Sequence, residues 1–155
     1  MSRDASAVRV LATNRRARHE YHVLEQKECG LVLKGTEVKS LRAGRCSIQE
    51  AYGRFEGGEL WLLGATIPEY SHGNIQNHAT DRPRKILLSR RELTKWQKAV
   101  KEKGVTLVPL SLYFSGHLVK LELGLCKGKK LHDKREDQKK KTAQREMGRA
   151  GMRRR

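Results

Sequence analysis

No two cysteines in this sequence lie close enough to act together. Cys29, Cys46 and Cys126 are far apart and odd in number. That excludes a disulfide framework and a cysteine zinc site, and leaves free, buried or half-buried thiols in a reducing compartment. Long apolar runs are absent too. The longest stretch, Leu60 to Ile67, is too short to span a bilayer, and no apolar signal region opens the chain. A soluble, cytoplasmic protein with no membrane partner is expected. Catalytic groupings are also missing. No Ser-His-Asp set, phosphate-binding glycine loop or close carboxylate pair stands out, so neither an enzyme nor a cofactor is expected. What is shortest is negative charge: 17 acidic residues face 34 basic ones, a formal charge of +17 over 155 residues. Such an excess opposes compactness and favours a polyanionic partner. The segment Lys127 to Arg155 carries +9 of it and residues 1–126 the other +8, so the tail alone does not explain the charge.

What is present begins with Asn14-Arg15-Arg16-Ala17-Arg18-His19-Glu20-Tyr21, which leads into a strand-like run, His22-Val23-Leu24. Arginine offers a planar, permanent charge that pairs with phosphate and stacks on bases. Histidine and tyrosine add ring faces beside it. Basic groups interleaved with stackable rings suit single-stranded or looped RNA, which makes Arg15, Arg16, Arg18, His19 and Tyr21 candidate contacts. A merely solvated basic stretch is the alternative. The order His19-Glu20-Tyr21-His22 approaches a metalloprotease motif, but that motif needs histidines four apart on a helix. Here they are three apart and enter a strand, so they fall on opposite faces and no metal is expected.

Residues 1–13 read as a loose N-terminal arm, with Val8, Val10 and Leu11 as its only anchors. Tyr21 to Leu33 is extended, with a bend or bulge allowed at Cys29-Gly30. A two-turn helix follows, Thr36 as its cap, Glu37 in its first turn, and Arg42 and Gly44 closing it. Cys46–Phe55 and Leu60–Ile67 form a hairpin through Gly57-Gly58. Pro68 to Pro83 is a long polar loop holding His72, Gly73, Asn74, Asn77, His78 and Asp81, read as surface groups. After a short strand at Lys85–Leu88, Ser89-Arg90-Arg91-Glu92 is a capping box. It opens a helix on which Leu93, Trp96 and Val100 share a face and which Gly104 ends. Val105–Phe114 and Leu118–Leu125 pair across Ser115-Gly116. In the first, Val108, Leu110, Leu112 and Phe114 are expected to face inward; in the second, Val119, Leu121, Leu123 and Leu125. The fold class is therefore mainly β with short helices. About six antiparallel strands are expected to close into an OB-fold-like barrel over residues 14–126. From Lys127 to Arg155 the apolar residues are too few to bury. This tail is expected to be disordered when free, though Ala143 and Met147, four apart, allow a helix on a partner.

Several of these segments together resemble the SsrA-binding protein (small protein B) family. They are Asn14 to Tyr21, Gly35 to Gly44, Arg90-Arg91-Glu92-Leu93, Leu110-Ser111-Leu112-Tyr113, and Gly128-Lys129-Lys130-Leu131-His132-Asp133-Lys134-Arg135. They occur in order, from about residue 8 to about 140. The resemblance implies a barrel that binds the tRNA-like domain of tmRNA during ribosome rescue. It also implies a tail that enters the decoding centre and empty mRNA channel, so that elongation factor Tu delivers alanyl-tmRNA. Asn14, Glu28 and Leu87 match family residues implicated in tmRNA binding. Gly128, Lys129, Lys130, His132, Asp133, Lys134 and Arg135 match the tail segment used on the ribosome and its small-subunit rRNA, and Lys139, Lys140 and Lys141 extend its charge. Chemically, Asn14 suits a base edge or a 2′-OH, Glu28 a base amino group, and Leu87 the underside of an unstacked base or, by its spacing, the core. His132 suits stacking on an rRNA base. The family often has a bulky aromatic near position 143, where this chain has Ala143. A structural ribosomal protein or general RNA chaperone would share the charge and the barrel but not this ordered set of segments.

Overall fold

Apolar residues alternating along the strands roll six of them into a closed wall. The computed structural model describes residues 7–70, 77–129 and 131–153. In chain order these give β1 (Val8–Thr13), α1 (Arg15–Glu20), β2 (Tyr21–Leu31), α2 (Gly35–Arg42), β3 (Tyr52–Glu56), β4 (Glu59–Leu63), β5 (Arg84–Leu87), α3 (Arg90–Lys103), β6 (Thr106–Ser115), β7 (Leu118–Gly128) and α4 (Leu131–Arg153). The strand order β6-β3-β4-β5-β2-β7 returns to β6, and β1 lies outside this ring on β6. All pairings are antiparallel. The expected barrel of about six strands is therefore present, with a seventh strand beside it. Its weakest seam joins β3 to β6 through Gly53 and Leu107. A Cβ on Gly53 would sit 2.9 Å from the Leu107 Cβ, so only glycine lets the wall close there.

Leu31, Leu60, Leu62, Ile86, Leu107, Leu112, Phe114, Leu121, Leu123 and Leu125 fill the barrel. Helix α3 starts and ends as its sequence signals require. The Ser89 side chain accepts from the Glu92 amide at 3.3 Å, and Gly104 closes the helix at φ +61°. It lays Trp96 into the core, with Leu93 and Val100 beside it.

Other details differ from the sequence expectations. The first strand is no loose arm: Val8–Thr13 pairs with the far half of β6, on the edge that β3 leaves open. Arg15–Glu20 is helical where a run into a strand was expected, because Asn14 caps it. The bulge in β2 falls between Val23 and Glu25, while Gly30 stays in register with both Leu87 and Lys120. On β6 a register shift between Pro109 and Ser111 reverses the alternation, as a proline without an N–H does in a ladder. Leu112 and Phe114 face the core, but Val108 and Leu110 face out into a second cluster with Ala17 and Cys126. Strands β3 and β4 are shorter than expected, with only the Ser47–Thr66 bridge continuing them. At the interruption Gly64 has φ +77°, and a Cβ there would meet the Glu50 carbonyl at 2.6 Å.

Lys34, not Thr36, caps α2; the Glu37 carboxylate accepts the Lys34 N–H at 2.7 Å. The Thr36 hydroxyl instead bonds His78 Nδ1 at 2.9 Å, and His78 Nε2 lies 2.9 Å from the Ile67 carbonyl. His78 is thus buried rather than a surface group. His72, Gly73, Asn74 and Lys130 lie outside the described residues, as do the side chains of His132, Asp133 and Lys134. Residues 131–153 of the tail run as helix α4, and its exposure over 138–148 is consistent with the expected tail that is disordered when free. Residues 138–148 are exposed, so its helicity rests on local propensity and not on a buried face.

Candidate nucleic-acid interface

Helix α1 buries one small side chain against the barrel. Ala17 is fully buried against Val108, Leu110 and Cys126, with Tyr21 and Val23 packed beside them. In a six-residue helix that leaves Arg15, Arg16, Arg18 and His19 in solvent. Arg18 and His19 lie in the last turn, where positive charge offsets the negative helix end. Arg18 Nη2 also donates to Gln26 at 3.3 Å.

Asn14 is not on the surface. It is 3% exposed, and its amide is fully used. Oδ1 accepts the Ala17 N–H at 3.2 Å, while Nδ2 donates to the Pro109 carbonyl at 3.0 Å and the Ile48 carbonyl at 3.4 Å. Its own N–H donates to Leu110 at 2.8 Å. One side chain therefore ties α1, β6 and the turn after Ile48 together. Between α1 and that turn runs a cleft lined by Arg16, Glu20, Tyr21, Glu50, Tyr52 and Thr106 among others. Arg16 straps its mouth, reaching Glu20 on one wall at 3.2 Å and Glu50 on the other at 2.9 Å.

Glu28 and Leu87 occupy the other end of the same outer face. Glu28 stands opposite Glu122 on β7, and Gly30 lies between Lys120 and Leu87. The Tyr113 hydroxyl crosses β7 to donate to Glu28 Oε2 at 2.5 Å. Burial first, then the hydrogen bond to Glu28, pushes the Tyr113 phenol up, so it stays a donor. Leu87 is 49% exposed and so not a core leucine. Gly30 makes room for it: a Cβ there would lie 3.3 Å from that of Leu87.

The tail starts against α1. The Lys129 N–H donates to the Glu20 carbonyl at 2.8 Å, and its Nζ to the Arg18 carbonyl at 2.9 Å. The same ammonium pairs with Asp137, one turn into α4 and beyond, and this bond holds the Asp137 carboxyl below its usual range. Gly128 ends β7, and Arg135, Lys139, Lys140 and Lys141 project from α4 into solvent. Among the described residues no three His, Cys, Asp or Glu side chains gather as a metal would require, and no helix is long and apolar enough to cross a membrane. Burial pushes the Cys29 thiol up to about 12 and that of Cys126 to about 11, which removes both as nucleophiles.

The structure thus groups Asn14, Arg15, Arg16, Arg18, His19 and Tyr21 at α1, and Glu28 and Leu87 at the far end of that face. Reading the sequence alone missed Gln49, Glu50, Tyr52 and Tyr113. Tyr52, 44% exposed, carries a signal: a large ring at an outward strand position beside Gly53. The family model described as SmpB protein matches residues 11–153. The SsrA-binding protein of Carboxydothermus hydrogenoformans is 51% identical over 142 residues, covering 92% of this chain and 95% of that protein. That of Thermobifida fusca is 52% identical over 147 residues, covering 95% and 92%. A solved structure described as "tmRNA-SmpB: a journey to the center of the bacterial ribosome" superimposes with a TM-score of 0.64 at 48% identity, over 77% of this chain and 85% of that one. A family match over all but the chain ends, with relatives half identical along nearly the whole length, makes this chain a member of the SmpB protein family.

Proposed function

We propose that this chain is a tmRNA-binding factor of trans-translation, the rescue of stalled ribosomes. The observation that carries the reading is the outer face of β2, β6 and β7. At one end α1 presents Arg15, Arg16, Arg18 and His19 to solvent, and family membership supports tmRNA as the RNA such a face meets. The exposed Arg15 and Arg18 supply phosphate contacts, which set affinity. Glu28, aimed by Tyr113, and the bare Leu87 supply directional and apolar contacts at the far end. Asn14 acts one step removed: it positions α1 and the turn after Ile48 and touches no RNA. The tail, cationic and exposed from 138 to 148, occupies the decoding centre and the empty mRNA channel. Gly128, Lys129, Lys130, His132, Asp133, Lys134 and Arg135 are the segment that meets small-subunit rRNA, followed by Lys139, Lys140 and Lys141. Elongation factor Tu is reached only through the alanyl-tmRNA it carries, and the protein itself performs no chemical step. Sequencing the RNA that copurifies with the chain tests this. One dominant tRNA-like species is expected, and bulk rRNA fragments in its place would point to a general RNA chaperone.

A further inference from the structure

The cleft beside α1 is lined in a way that suits a base better than a phosphate. Glu20 and Glu50 bring two carboxylates to it against the single guanidinium of Arg16. That balance repels a phosphate group, whereas the outward Arg15, Arg18 and His19 attract one. A nucleobase is neutral, and its edge donors are what a carboxylate accepts. Two tyrosines flank the cleft from different strands. Tyr21 begins β2 and Tyr52 begins β3, and β7 and β6 run between them. At about 4.8 Å per strand spacing, that separation leaves room for a planar ring between their side chains. The floor is Thr106 and Val108. Gly128, opposite Tyr21 in register, has nothing within 4 Å of where a Cβ would stand, so that side is open.

We infer that this cleft receives one unpaired nucleobase of the bound RNA, stacked on Tyr52, with guanine preferred. The inference rests on the RNA-binding reading above and gives that surface a base-reading element. Guanine follows from its edge. N1–H and N2–H₂ are adjacent donors, and Glu50, 78% exposed, commits only one oxygen to Arg16. Its Oε2 and the second lone pair of Oε1 thus remain as two adjacent acceptors for a paired donor edge, which adenine, cytosine and uracil do not present in the same form. Arg16 is then a strap rather than a phosphate clamp: it fixes both carboxylates and holds the walls at their spacing. Asn14 sets that spacing from beneath through Ala17 and Ile48.

Two arms test it with the full-length chain. In the first, the tRNA-like domain of tmRNA is transcribed with 6-thioguanosine, which keeps both donors and cross-links under near-ultraviolet light. A cross-link within Gln49–Tyr52 is expected. Tyr52→Ala should weaken binding about 5- to 150-fold, the loss of one base stack, while Tyr52→Phe keeps wild-type affinity. In the second arm the pentaribonucleotide 5′-UUGUU-3′ is titrated while the Tyr52 ring and Val108 methyl resonances are followed, with 5′-UUAUU-3′ as comparison. Shifts with the first and far weaker shifts with the second are expected, and Glu50→Gln should erase the difference. Equal response to both oligonucleotides, or cross-links that avoid residues 49–52, overturns the inference. If the wild type fails to bind the tRNA-like domain yet discriminates the pentamers, the tmRNA reading falls and the cleft stands.

Discussion

Glu37 is a carboxylate with no access to water. Arg84 Nε approaches it at 2.6 Å, Arg82 Nη2 at 2.5 Å and the Lys34 N–H at 2.7 Å. Burial alone would raise its pKa, but the bonds from Arg82, the Lys34 backbone and Arg84 outweigh burial and leave it lowered. A folded-state value below the unfolded one, about 4.3, means the stabilisation is complete at neutral pH. It disappears as pH falls through the folded value. Glu37→Gln should cost about 3–5 kcal/mol at pH 7, the usual result of breaking a buried pair. The gap to wild type should narrow in acid, as urea melts at a series of pH values would show; a gap independent of pH would contradict the lowered carboxylate. Asn14 and Glu28 divide in another way. Asn14→Ala removes a helix cap and two bonds to carbonyls, so about 1–3 kcal/mol of stability should be lost together with RNA affinity. Glu28 is exposed, so Glu28→Ala should weaken tRNA-like domain binding while stability stays within about 0.5 kcal/mol. Thermal melts beside RNA titrations separate the two. An Asn14→Ala protein of unchanged stability but weak binding would put that side chain on the RNA after all.

At the level of elements, α3 was legible because each signal was local. Ser89, Glu92, Leu93, Trp96, Val100 and Gly104 lie within one continuous segment, and no distant partner competes for them. Helix α1 was not legible, since six residues with one apolar face member have no periodicity to read. What makes it a helix is Asn14 reaching Ala17, and what makes Asn14 do so is carbonyls more than thirty positions away at Ile48 and Pro109. The outward turn of Val108 and Leu110 was hidden for a related reason. Alternation was read correctly for Leu112 and Phe114, but the opposite phase before the shift between Pro109 and Ser111, which turns Val108 and Leu110 outward, depends on pairing with β7. The clustered, solvent-exposed charge of the arginines was legible, because charge density needs no tertiary partner, whereas Glu50 and Tyr52 join the cleft beside them only through folding. A prediction belongs to this element. Ala17 fits beneath α1 as a single methyl against Val108, Leu110 and Cys126. Ala17→Leu should overpack that contact at about 1–3 kcal/mol, tilt α1 and weaken RNA binding. Arg15→Ala, on the solvent side of the same helix, should weaken binding with stability unchanged. If Ala17→Leu bound RNA as the wild type does, the seating of α1 on the barrel would be irrelevant to recognition.

Over the whole molecule, the charge is shared almost evenly between a packed body and an exposed tail. The two halves meet at Lys129, which bonds backbone to Glu20 and ammonium to the Arg18 carbonyl. Strand β7 runs to Gly128, two residues past the barrel end expected at Cys126, and we place the boundary of the folding unit after Lys129. Deleting residues 130–155 should therefore leave a barrel that melts cooperatively and still captures the tRNA-like domain. Peptide tagging on stalled ribosomes should be lost. Salt dependence says which half touches which RNA. Log affinity falls against log salt by about 0.7 per phosphate contacted on single strands and about 0.9 on duplex. If α1 and its neighbours hold the tRNA-like domain and the tail holds ribosomal RNA, the slope for the domain should be the same with and without the tail, despite the loss of so much positive charge. Binding to ribosomal subunits should instead lose several units of slope on truncation. A domain slope that drops with the tail would mean that the tail lies on tmRNA itself, and the division of labour between the two halves would have to be abandoned.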